Sequence, residues 1–82
     1  MKASQIQKLA RSSITFTQDI HQAAQLVKMG LGMKGLVILS EHSTDHREFF
    51  VASGSGLGFE ITLSATNNGD DTFKLSCTIQ NQ

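Results

Sequence analysis

His42-Ser43-Thr44-Asp45-His46 places two imidazoles and a carboxylate within five residues of this 82-residue chain, a grouping with metal-ligand chemistry. Were a hairpin to set His42 opposite His46, Glu41 or Glu48 would complete a set of nitrogen and oxygen donors of the kind zinc accepts. A metal site draws its rigidity from a helix or from several elements, and five loop residues supply little of it. The spacing therefore predicts a solvated hairpin tip and no metal.

Nucleophilic catalysis needs a thiol or hydroxyl beside a base and an orienting group. Cys77 falls in an alternating series with Leu75 and Ile79, which predicts a buried, protonated thiol that behaves as a small hydrophobe. Asp70 and Asp71 are adjacent in a turn and do not converge on a substrate. Ser53-Gly54-Ser55-Gly56-Leu57-Gly58 has the glycines of an anion-cradling loop, but a strand follows it, where phosphate loops lead into a helix N-terminus; a wide hairpin turn is expected. His21 shares a polar helix face with Gln22 and Gln25 and reads as exposed. These readings predict no catalytic residue, no cofactor and no enzyme activity.

Binding remains. The formal net charge is zero, yet residues 1–35 carry Lys2, Lys8, Arg11, Lys28 and Lys34 against Asp19 alone, 5 − 1 = +4, and residues 36–82 carry Arg47 and Lys74 against six acids, 2 − 6 = −4. The simplest consequence is attraction between the two halves. The five N-terminal cations are the candidates for a nucleic-acid contact, although the chain has no tyrosine or tryptophan for base stacking. The candidates for a protein contact are the acidic strand residues Glu41, Asp45, Glu48 and Glu60, which can meet a basic groove, and the adaptable side chains of Met29 and Met33.

The reading favoured by exclusion is a non-enzymatic protein that occupies a surface on a larger protein or ribonucleoprotein, as small phage and mobile-element inhibitors of host machines do, anti-CRISPR proteins among them. The alternative is a small nucleic-acid-binding or regulatory domain that uses the basic N-terminal third. An exposed edge strand and opposite charge on the two halves also favour a homodimer.

The elements that position these residues follow from periodicity. Ile20, Ala23, Ala24, Val27 and Leu31 make one stripe of a helix from Thr17 to Gly30, with Thr17 as its cap, Asp19 in its first turn and Gly30 as its stop. Ser4–Ser12 has one-face spacing for a short first helix that competes with fraying over residues 1–12, and Ser13–Thr17 alternates as a fifth edge strand would. Met29–Gly35, with three glycines, reads as a connector. Leu36–Leu39 is continuously apolar, as in a central strand, and Glu41–His46 reads as a loop of about five residues before a strand at Glu48–Ala52. Phe59, Ile61, Leu63 and Ala65, then Phe73, Leu75, Cys77 and Ile79, alternate inward on either side of an Asn68-Gly69 turn.

The expected fold is α+β: one compact domain over residues 1–82, a four-stranded antiparallel sheet and one main helix across a face. A single cysteine precludes an internal disulfide, the N-terminal stretch lacks the apolar core of a signal peptide, and the run Leu36–Leu39 is far short of the roughly 20 residues a bilayer span needs. A cytoplasmic protein with no membrane partner is the expectation.

Overall fold

The alternating series of the C-terminal half must bury one side and leave the other outside, and the chain meets this with strands. The computed structural model describes residues 1–81, in the order α1 (Ala3–Thr17), α2 (Ile20–Met33), β1 (Val37–Thr44), β2 (Arg47–Gly54), β3 (Leu57–Asn67) and β4 (Phe73–Asn81). The strands form an antiparallel meander in spatial order β1-β2-β3-β4. Leu63 lies opposite Cys77, Ile61 opposite Ile79, and Phe50 opposite Ile61, so the inward residues of neighbouring strands fall in shared rows. Phe50, Ile61 and Leu63 are fully buried with Ile6, Val27 and Leu31 of the helices.

Local chemistry sets the turns. Ser55 and Gly56 join β2 to β3 with φ of 53° and 77°, the paired positive values that match a two-residue hairpin to the twist of its strands. Between β3 and β4, Asn67 Oδ1 accepts from the Gly69 N–H at 2.7 Å and Asp70 Oδ1 accepts from the Thr72 N–H at 3.2 Å, holding the loop through side chains that mimic backbone.

Two helices, not one, make the second layer. The segment expected as a short helix and a fifth edge strand is continuous helix from Ala3 to Thr17, because Ile6, Ala10 and Ser13 share one buried stripe and tertiary burial outweighs the local alternation of Ser13–Thr17. Gln18 then adopts the left-handed conformation, φ 55°, its N–H donating to Ile14 O at 2.8 Å, and Asp19 caps α2 by accepting from the His21 and Gln22 N–H groups. Asp19 is the cap in place of Thr17, whose hydroxyl donates to Ser13 O within α1.

Two further expectations fail for related reasons. Gly30 and Gly32 lie inside α2, which runs to Met33, so Met29–Met33 is helix and not connector; the left-handed glycine is Gly35, φ 85°. At Gly30 the missing side chain makes room for Leu9 of α1. Leu36–Leu39 belongs to an edge strand: β1 ends the sheet, and Val37 and Leu39 are 62% and 64% exposed. A register shift between Ile38 and Ser40 leaves Leu39 as the extra residue of a bulge. The β1–β2 hairpin is also tighter than expected, since pairing persists to Thr44–Arg47 and only Asp45 and His46 turn.

Two glycines separate a rigid contact from a soft one. A Cβ on Gly54 would stand 2.8 Å from Gly35 O and 3.1 Å from Leu36 Cα, both backbone, whereas on Gly30 it would stand 2.7 Å from Leu9 Cδ2, the end of a flexible side chain. Urea denaturation of Gly54→Ala is expected to show a loss of about 1–3 kcal/mol. Gly30→Ala is expected to stay near neutral, the displaced methyl being offset by about 1 kcal/mol of helix propensity.

Candidate interaction site

The fold disperses the acidic candidates. Glu41 and Glu48 sit on the helix-covered side of the sheet, where Glu41 forms an ion pair with Lys28 of α2, and the Lys28 ammonium lies 5.5 Å from the centroid of the Phe50 ring. Glu48 is buried beneath α2. Glu60 pairs across β2–β3 with Val51, in rows that alternate with the buried Phe50 and Ile61, and so belongs to the opposite face. Asp45 is exposed in the β1–β2 turn. The four acids therefore make no common surface.

His21, expected to be merely exposed, is the partner of Glu48. Its Nδ1 lies 3.2 Å from Glu48 Oε2 and its Nε2 lies 3.2 Å from Asp45 O, so each ring nitrogen faces an acceptor. A carboxylate and a carbonyl can both be satisfied only by an imidazolium donating from both nitrogens. The His21 pKa is accordingly raised above its ordinary 6.5, first by the Glu48 hydrogen bond, with desolvation opposing and the Asp45 carbonyl adding to the rise. A ring held this way has no free lone pair with which to act as a general base. It acts as a clasp between the start of α2 and the β1–β2 turn. No signal in the sequence couples two residues 27 positions apart.

His42 and His46 are not brought together. His42 pairs across the strands with Phe49, while His46 stacks on Phe73 with centroids 5.5 Å apart. Among the described residues no three His, Cys, Asp or Glu side chains converge as a metal would require. The glycine loop is the tight β2–β3 turn already described. Cys77 is half-buried, and burial pushes its thiol up to about 11 against a weaker opposing pull from Arg11. The groove of about 390 Å³ beside it is lined by Gln7, Arg11, Ile14, Thr15, Leu75 and Ser76, with neither carboxylate nor imidazole to deprotonate it.

What the helices place on the outside is apolar and basic. Met29 and Met33 stand one turn apart on α2, 64% and 86% exposed, and Phe16 of α1 is 81% exposed. Leu9, seven residues before Phe16 and on the same side of α1, packs at Gly30, so this strip follows the seam between the helices. Lys2, Lys8, Arg11 and Lys34 all belong to this layer or its ends, with Asp19 as its acid. The charge asymmetry of the sequence thus becomes an asymmetry between layers, and Lys28 and His21 meet Glu41 and Glu48 at the junction. Phe16 was absent from the sequence candidates because its alternation with Ile14 reads as a strand.

No helix among the described residues is long and apolar enough to cross a membrane. Comparison with protein-family models, curated proteins and solved structures returned no match. The chemistry of the chain itself therefore carries the functional reading.

A histidine whose folded pKa is raised contributes its full stabilisation below the unfolded value and loses it as pH rises through the folded value. The thermal midpoint is therefore expected to fall as pH rises above 6.5 through the His21 transition, and Glu48→Gln to flatten that slope. Alkylation of Cys77 at about pH 8 is expected to be slow in the native protein and fast in denaturant, because the thiolate is the reactive species.

Proposed function

We propose that this protein is a non-enzymatic interaction module that binds an acidic, partly apolar surface on a larger protein or ribonucleoprotein through its helix layer. The observation that carries the reading is the strip of Met29, Met33 and Phe16, three large apolar side chains mostly in water. Exposed apolar strips of this kind mark contact surfaces, and methionine adapts its shape to a partner. Lys8, Arg11 and Lys34 around the strip give it a positive rim, which favours a partner bearing carboxylates. Glu41 and Glu48 do not support the acidic alternative, since each is engaged with α2. Inhibition of a host machine by a phage or mobile-element protein, in the manner of anti-CRISPR proteins, is the biological setting that suits a domain of this size with no converging catalytic groups. It is a cytoplasmic setting.

Cross-linking and affinity capture from the native host test the reading. The double variant Met29→Glu/Met33→Glu is expected to keep the wild-type circular dichroism and lose the captured partner by at least about tenfold. The basic cluster also admits nucleic acid. Binding to a generic duplex that falls steeply with salt and survives the methionine substitutions would put that reading in place of this one.

A further inference from the structure

The sheet has a second face, and no element of the described chain lies over it. Residues alternating with the buried Phe50, Ala52, Phe59, Ile61 and Leu63 belong to it: Phe49 and Val51 on β2, Glu60, Thr62 and Ser64 on β3. The register adds Val37 opposite Ser53, His42 opposite Phe49 and Thr78 opposite Thr62, and the bulge puts Leu39 beside Val51. Val37, Leu39, Phe49 and Val51 thus form one apolar patch across β1 and β2, bordered by serine and threonine.

We propose that this patch is where a second copy of the chain docks, sheet upon sheet about a two-fold axis through Phe49 and Val51. Area argues for it. The molecule exposes 5262 Å², whereas a compact monomer of 8.9 kDa is expected to expose about 4,800 Å². The surplus is close to the projected area of one sheet face, roughly 20 Å by 27 Å for four strands of this length. A pleated face of that footprint presents an accessible area near the roughly 800 Å² per partner of a standard interface.

Charge argues the same way. Arg47, Lys74 and Glu60 are the charged residues of this face, a formal +1, so two copies meet with little repulsion. An isologous contact places a patch upon itself, which lets apolar meet apolar only when the axis passes through the patch, and packed sheets then sit about 10 Å apart. The arrangement leaves both helix layers outside, so the dimer presents the Met29–Met33 strip twice. The proposal rests on the sheet alone and stands whether or not the helix strip binds a partner.

Sedimentation velocity over a dilution series up to about 300 µM tests it, since a contact of this size is weak to moderate. The mass is expected to move from 8.9 kDa to twice that value. Val37→Lys/Leu39→Lys changes side chains already largely exposed, so its circular dichroism is expected to match wild type while self-association weakens at least about tenfold. Val51→Lys at the centre is expected to abolish it. A mass of 8.9 kDa at every concentration overturns the proposal. So does a dimer that survives the lysine variants and is lost with Met29→Glu/Met33→Glu, which would place the contact on the helices.

Discussion

The burial of one row of side chains under a stripe of small ones is the constraint from which the rest of this structure follows. Phe50, Ile61 and Leu63 need cover, and α2 offers Ala23, Ala24 and Val27, residues short enough for a helix to lie close on a pleated surface. In a chain of this size the fraction of surface buried is small, so each fully covered side chain is a large share of what opposes conformational entropy. One helix cannot roof four strands. The second completes the layer with Ile6 and Ala10, and the reversal at Gln18 and Asp19 brings it back antiparallel beside the first.

Charge is arranged around that core rather than within it. Helices supply most of the cations and strands most of the anions, and the two signs meet along the junction through Lys28–Glu41 and His21–Glu48. The first pair is partly open to solvent and is worth little alone. The second differs because Glu48 is buried, and a carboxylate withdrawn from water needs a donor. His21 fulfils that need, which makes the junction sensitive to pH and removes the ring from any catalytic part.

Two surfaces then remain for partners, on opposite sides of the molecule. The helix seam shows methionine and phenylalanine within a basic rim, and the open sheet face shows a neutral patch of valine, leucine and phenylalanine. Both consist of side chains that a monomer in water has no reason to arrange together. Their separation matters for function: a module that pairs through one face and contacts its target through the other gains avidity without a new contact.

The C-terminal hairpin was legible in the sequence because its determinants are local. Alternation over Phe59–Ala65 and Phe73–Ile79, with Asn68-Gly69 between, specifies strand, face and turn within about twenty residues. The stripe of α2 was legible for the same reason. What only tertiary structure decided was the state of segments whose local pattern admits two answers. Ser13–Thr17 alternates like a strand yet shares the buried stripe of α1, Gly30 resembles a stop yet admits Leu9, and Leu36–Leu39 resembles a central strand yet lies at an edge. Among the candidate sites, Met29 and Met33 were readable as residues but not as one helix face, and Phe16 and the His21–Glu48 clasp were not readable at all. The physical reason is that period and propensity act over one or two turns of chain, whereas burial, pairing at the sheet edge and the meeting of a histidine with a distant carboxylate depend on which elements come to lie side by side.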